Sequence, residues 1–313
     1  MPPKILVVCG PTASGKTRMA VELAKAHNGE VVSADSMQIY RTMDIGTAKP
    51  TPEEMQGVPH HMLDVADPEQ DFSVACYVDM AAACVDDILS RGKLPILAGG
   101  TGLYIDSLLS GRDFATFDPD SGLRERLEQE YARTGGEAML ARLACVDPET
   151  AARLHPNDAK RIIRALEVWH ATGMTITQHN LRTQALPPRY QALTIGLAFE
   201  QREDMWSRID RRVDEMMEKG LVAEVQGLLA RGVPDKCTAM QAIGYKEMAA
   251  ALRGDGDVVR AAEEIKLRSR QYAKRQLTWF GRNKDTCWFR WGRQPDIAKA
   301  LQFSTEKMEE FGL

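Results

Sequence analysis

The chain has 313 residues, 44% of them apolar and 27% charged, with 24 glycines and 15 prolines. Such usage excludes disordered, collagen-like and small disulfide-stapled classes, and the length predicts two domains or one large core carrying an insertion. Forty basic against 44 acidic residues give a net charge of −4, which argues against a globally basic nucleic-acid binder. Six scattered cysteines form no C-x-x-C pair, the pattern of reduced thiols rather than of a zinc site. No apolar stretch approaches a membrane span, and the N-terminus has no signal-peptide layout, so a cytoplasmic protein without membrane contact is expected.

Taken in chain order, Ile5 to Cys9 is a short apolar run ending in a Gly-rich turn, as in a buried parallel strand. Thr17 to His27 carries apolar residues at helical spacing and stops at Asn28-Gly29. Glu30 to Ala34 predicts a second strand, closed by Asp35. Val74 to Ser90 predicts a long helix stopped near Gly92, and Leu94 to Ala98 another strand, ending in Gly99-Gly100-Thr101-Gly102. This alternation predicts an α/β fold with a parallel sheet. After about Asp113 the pattern changes, and 118 to 190 reads as helical without strands, with turns at Gly135-Gly136, Pro156-Asn157 and Pro187-Pro188. A β-type run returns at Ala192 to Ala198, and Glu203 to Phe280 reads as mostly helical. The expected organisation is therefore a core of 1–112 and 191–313 with a helical insertion at 113–190.

Gly10-Pro11-Thr12-Ala13-Ser14-Gly15-Lys16-Thr17 matches G-x-x-x-x-G-K-[ST] at every fixed position. Between a strand and a helix, such a loop turns its backbone N–H groups toward phosphate oxygens, while Lys16 adds a point charge and the Thr17 hydroxyl suits Mg²⁺. The strand at 94–98 lacks the terminal aspartate with which phosphate-loop nucleoside triphosphatases hold their metal. The acidic residue instead closes the second strand, at Asp35. Ligands of open α/β sheets bind beyond the carboxyl ends of the strands, so the Gly10 loop, Asp35 and Thr101 should converge. That constellation suits a carboxylate acting on an acceptor beside a leaving diphosphate. It equally suits a small-molecule kinase using ATP.

Further along stand Asp35-Ser-Met-Gln-Ile-Tyr-Arg41, Gly46-Thr-Ala-Lys-Pro50, Gly99-Gly-Thr-Gly-Leu-Tyr104 and His155-Pro-Asn-Asp158. Arg161-Ile-Ile-Arg-Ala-Leu-Glu167, Ile243-Gly-Tyr245 and Lys274-Arg-Gln-Leu-Thr-Trp-Phe280 complete the series. In this order, and together with the phosphate loop, they resemble the bacterial tRNA dimethylallyltransferases over nearly the whole chain. The resemblance implies a phosphate-loop core with a helical insertion gripping the tRNA anticodon stem-loop, in a monomer. It implies transfer of a dimethylallyl group from dimethylallyl diphosphate to N6 of the adenosine immediately 3′ of the anticodon, in tRNAs reading codons that begin with U. The phosphate loop would then cradle diphosphate, with Mg²⁺ as cofactor. A resemblance to the bacterial enzymes also implies no C-terminal Cys/His zinc-finger extension, which is found mainly in eukaryotic relatives.

Under that expectation Asp35 takes the proton released as the adenine amine is alkylated; the alternative is a magnesium-shell or helix-capping role. Thr101 would bond the target nucleotide or the diphosphate, unless it is only a turn residue. Arg208 and Arg212, four apart on one helix face, could clamp diphosphate or pair with Asp204, Asp210 or Glu215. Ser36, Met37 and Gln38 could read the base, with Gln38 pairing to its edge. Ala159, Lys160, Arg161, Ile162, Ile163 and Arg164 would offer charge to the RNA backbone from a helix whose apolar side is buried. Lys266 to Arg275 carries five basic residues in ten and leads to Trp279 and Phe280, chemistry suited to RNA or to a solvated basic helix. Contact with tRNA is expected at Lys274, Arg275, Gln276 and Trp279, and at Met240, Gln241, Ala242, Ile243, Gly244 and Tyr245. The histidines show no metal spacing, and His155 before Pro156 reads as a turn residue.

Overall fold

The computed structural model describes residues 2–111, 122–184 and 187–313. Two compact units divide the chain, one of 1–109 with 189–313, the other of 110–188. The start of the helical stretch expected from 113, up to 121, lies outside the described residues, as do 185 and 186.

The first unit is built on a parallel six-stranded sheet, β1 (Lys4–Cys9), β2 (Gly29–Ser33), β3 (His60–His61), β4 (Leu94–Gly99), β5 (Gln191–Phe199) and β6 (Cys287–Trp291), in the spatial order β3-β2-β4-β1-β5-β6. The central strand β1 is covered on both faces, which is why Ile5 to Cys9 reads as an unbroken apolar run. Leu6 and Val8 join a cluster built with Met19, Leu23 and Met308, while Ile5 and Val7, equally buried, alternate to the opposite face. α1 (Lys16–Ala26) follows β1, with Gly15 in left-handed conformation at its N-cap. α2 (Pro52–Met55) is a single turn closed by a Thr51–Glu54 capping box. α3 (Val74–Ser90) starts at Ser73, whose hydroxyl accepts from the Cys76 N–H, and α4 (Gly102–Ser110) follows β4.

The second unit is helical: α5 (Leu123–Thr134), α6 (Gly136–Val146), α7 (Pro148–Ala151), α8 (Ala159–Thr172) and α9 (Ile176–Gln184). Its core gathers Leu127, Met139, Leu143, Ile162, Ile163 and Leu166.

Returning to the first unit, α10 (Arg202–Lys219), α11 (Leu221–Ala230), α12 (Tyr245–Arg253) and α13 (Val258–Phe280) enclose a second cluster with Ile39, Tyr40, Met43, Met240 and Tyr245. α14 (Ile297–Phe311) packs beside α1. Strand β6 has no counterpart in the sequence expectations. Its aromatic run, Trp288-Phe289-Arg290-Trp291, carries the β propensity that would have marked it.

A candidate active site beyond the carboxyl ends of the strands

β1 ends where Gly10 turns with φ at +146°; a Cβ there would lie 2.3 Å from the Leu197 carbonyl of β5, so the turn excludes any side chain. Ala13 and Gly15 both take left-handed φ, 61° and 86°, and the loop closes into a concave row of backbone amides at the start of α1. Three side chains from distant parts of the chain hold it. Trp291 Nε1 donates to the Ser14 carbonyl at 2.8 Å, Arg208 Nε to the Ala13 carbonyl at 3.2 Å, and the Thr12 N–H donates to Gln276 Oε1 at 2.8 Å. Among the described residues the buried Ser14 hydroxyl has no hydrogen-bond partner, an orphan that an incoming phosphate oxygen would satisfy.

The loop forms one wall of a cavity of about 530 Å³, which Thr17, Asp35, Gln38, Arg208, Arg212 and Tyr272 also line. Among the described residues no carboxylate lies within ion-pair distance of Lys16, Arg208 or Arg212. Asp210 pairs instead with Arg270, and Glu215 with Arg211, so the intrahelical alternative for the two arginines falls away. Lys16 folds back to donate to the Pro11 carbonyl at 2.7 Å. Its pKa is pushed down to about 8 by burial and then by Arg212, with Asp35 opposing. Burial likewise lowers that of Arg212, again against Asp35.

Asp35 follows β2. Its Oδ1 accepts from the backbone N–H groups of Met37 at 2.9 Å and Gln38 at 3.4 Å, which fixes the carboxylate while, among the described residues, engaging only one of its oxygens. Thr101 reaches it from β4: its Oγ1 accepts from the Ser36 N–H at 3.0 Å, and its own N–H donates to the Ala34 carbonyl at 3.0 Å. The phosphate loop, Asp35 and Thr101 thus converge as the strand order requires. Tyr272, from α13, lines the same space; burial and then Asp35 push its phenol up to about 12.

Several residues expected to touch RNA are placed otherwise. Gln38 is engaged within the fold: its Nε2 donates to the carbonyls of Thr47 and Ala48, and its Oε1 accepts from Ser33, so it shapes the cavity wall and has no free edge for a base. Met37 is half-buried against the second cluster. Ile162 and Ile163 are core residues of the helical unit at 0% and 5% exposure, leaving Lys160 and Arg161 as the exposed charges of α8; Arg164 pairs with Glu167. Met240, Ala242 and Tyr245 are buried, Gly244 lies between them, and Ile243 is half-buried on the same cluster. Gln241 is exposed, its amide donating to the Asp235 carbonyl. Tyr245 donates to Glu224, which also accepts three backbone N–H groups at Asp44, Ile45 and Gly46. That stretch therefore supports the cavity from behind. On α13, Lys266, Arg268 and Arg270 have acidic partners, whereas Lys274 and Arg275 are exposed with none among the described residues. Trp279 is half-buried and donates to Asp106 at 2.9 Å. His155 accepts from the Asn157 N–H, a turn residue.

The family model for IPP transferase matches residues 38–284. The chain belongs to that family. Named relatives extend the likeness to the phosphate loop. The tRNA dimethylallyltransferase of Bacillus subtilis is 44% identical, covering 98% of this chain and 95% of its own, and one from Thermoanaerobacter is 47% identical over 91% of each. The crystal structure of the full-length tRNA isopentenylpyrophosphate transferase of Bacillus halodurans superposes with a TM-score of 0.73 at 42% identity, over 98% of this chain and 97% of that one. A eukaryotic dimethylallyltransferase acting on tRNA gives 0.82 at 28% identity, over 97% of this chain and 77% of that chain. Family membership leaves the ATP-dependent kinase alternative without support.

Proposed function

We propose that the protein transfers a dimethylallyl group from dimethylallyl diphosphate to N6 of the adenosine immediately 3′ of the anticodon, in tRNAs reading codons that begin with U. The observation that carries this reading is the cavity itself. Among the described residues, three cations without acidic partners and a buried hydroxyl without a hydrogen-bond partner lie on the phosphate-loop side, and the fixed carboxylate of Asp35 stands at the end of β2. The names of the relatives, which act on tRNA, supply the substrates.

Ionisation at the allylic carbon places negative charge on the departing diphosphate. The loop amides, Ser14, Lys16, Arg208 and Arg212 stabilise that charge where it develops. The adenine amine is a poor nucleophile until its proton is lost. The Asp35 oxygen left unbonded accepts that proton as the C–N bond forms, while Thr101 orients the carboxylate turn through Ser36. An adenine in an unpaired loop leaves its stack at a cost of a few kcal/mol.

Magnesium fits this donor set as a partly hydrated ion. Among the described residues no three acidic, cysteine or histidine side chains form a cage, whereas the Thr17 hydroxyl and Asp35 share the cavity, the sparse protein ligation that Mg²⁺ accepts beside phosphate. When bound, the ion neutralises charge on the leaving group. Lys160 and Arg161 in the helical unit, and Lys274 and Arg275 on α13, serve as contacts for the anticodon stem-loop. We further take the protein to act as a monomer in the cytoplasm; no described helix is long and apolar enough to cross a membrane.

The test is turnover of radiolabelled dimethylallyl diphosphate with Mg²⁺ and an anticodon stem-loop. Label should enter the RNA and vanish when the target adenosine is replaced. A folded protein that leaves a competent RNA unlabelled refutes the reading.

A further inference from the structure

Gln276 belongs to neither the phosphate loop nor the carboxylate turn, yet it joins them. At 6% exposure, its Oε1 accepts from the Thr12 N–H at 2.8 Å, and its Nε2 donates to the Gly100 carbonyl at 2.9 Å. Gly100 precedes Thr101, whose N–H and hydroxyl hold Ala34 and Ser36, the neighbours of Asp35. Hydrogen bonds and one peptide link therefore lead from the diphosphate cradle through one amide to the backbone on either side of Asp35. A side chain opposite would push the amide out of this bridge: a Cβ on Gly100 would lie 2.3 Å from Gln276 Nε2.

We propose that Gln276 is a positioning residue for the transfer reaction, setting the separation between the diphosphate cradle and the Asp35 turn. The inference rests on the prenyl-transfer reading. The bridge needs an acceptor on one side and a donor on the other, which a carboxamide supplies in a single plane and a carboxylate does not. Because Asp35 and the phosphate loop come from different strand ends, a small shift between them spoils the alignment of amine, allylic carbon and leaving group. Misplacement by about 1 Å costs on the order of 100-fold in rate. Gln276 touches no reacting atom, so its loss should appear in kcat and leave the RNA KM in place.

Two variants test this by steady-state kinetics, with the wild type establishing that prenyl transfer occurs at all. Absence of wild-type turnover would count against the functional reading, whereas the proposal is judged by the variants relative to the wild type. Gln276→Leu removes both hydrogen bonds at similar volume, and kcat should fall on the order of 100-fold with the RNA KM within about twofold. Gln276→Glu adds a chemical rescue. Its protonated carboxyl restores the amide pattern, the carbonyl accepting from Thr12 and the O–H donating to Gly100. Once ionised, it faces the Gly100 carbonyl with a second acceptor. The charged groups sharing its cavity are Lys16, Arg18, Lys49, Arg208, Arg211, Arg212 and Lys219, with Asp35, Asp44, Glu54 and Glu215, and Tyr272, one turn back on α13, bonds Gln276 itself. All are present in the wild type, so the ratio of variant to wild-type kcat cancels their titrations. That ratio should rise as pH falls. A flat ratio, or a Gln276→Leu enzyme that keeps kcat within about twofold of the wild type, overturns the proposal. A Gln276→Leu protein that does not fold leaves the pH ratio of the Glu variant to decide.

Discussion

The two ends of the sheet use charge in opposite ways. Near the amino end of β2, Glu30 is 3% exposed and gathers three partners: Arg91 at 2.5 Å, Lys93 at 2.7 Å and His61 at 2.8 Å. Beyond the carboxyl ends, Lys16, Arg208 and Arg212 face a cavity with no carboxylate in ion-pair range among the described residues. One end is closed upon itself and has nothing left to bind. The other holds cations whose burial, and then the repulsion of a neighbouring arginine, lowers the pKa values of Lys16 and Arg212, with Asp35 opposing. Saturated charge contributes stability, and unsatisfied charge is a binding site awaiting its anion.

The sharpest break in this contrast is at Asp35, the carboxylate of the open end that closes β2. Asp35→Asn keeps an acceptor for the Met37 and Gln38 amides and removes the base. We expect kcat to fall roughly 10²- to 10⁴-fold with RNA affinity retained in a gel-shift measurement. An unchanged kcat would remove Asp35 from the chemistry. Next comes Lys16→Met, which should raise the donor KM roughly 10- to 100-fold. Since Lys16 is cationic only below its depressed pKa of about 8, wild-type affinity for diphosphate should weaken as the pH rises through that value. The variant should lack this limb in calorimetric titrations. The same depression means that the folded state bears an unfavourable charge below that pH, so the unliganded variant should melt above the wild type.

The closed end predicts the reverse pattern. Glu30→Gln should leave kcat and KM alone and cost roughly 3 kcal/mol in denaturant unfolding, the lower end of the range for breaking a buried pair, because Arg91 and Lys93 keep partial solvent access. The sign follows from the carboxyl itself. Hydrogen bonding to Arg91, against desolvation and with help from Lys93 and His61, holds it well below its free value of 4.5. Its contribution is complete above that value and is lost as pH falls toward the folded-state pKa. Wild type and variant should therefore converge in stability on acidification; parallel curves would contradict the assignment.

The open end is the more legible of the two in sequence. A phosphate loop is local: its fixed residues are consecutive, and the strand–turn–helix context is visible around them. Asp35 and Thr101 follow from the rule that strand ends converge. The partners that hold the loop, Gln276 and Trp291, lie more than 260 residues away, and no periodicity marks such a pairing. The same limit explains Met240 to Tyr245 and Ile162-Ile163. Their motifs resemble the family's, but whether a motif touches ligand or supports those that do depends on burial, which only packing decides. The Glu30 network escapes a reading of the sequence because its four members come from three separate segments of ordinary surface composition.

The smallest effect sharpens the comparison at its edge. Lys274 and Arg275 are the residues of the basic stretch left without acidic partners among the described residues, directly before Gln276 on α13. By the logic of the open end they should meet an anion, here the RNA backbone, while Lys266, Arg268 and Arg270 belong with the closed end as structural pairs. Replacing both Lys274 and Arg275 with alanine should raise the RNA KM several-fold and flatten its salt dependence by about 0.7–0.9 in log–log slope for each phosphate left unneutralised. Neutralising Lys266 and Arg268 should do neither. A slope unchanged in the first pair, or equally reduced in the second, would show that pairing within the fold does not sort the RNA-binding charges of this helix from the rest.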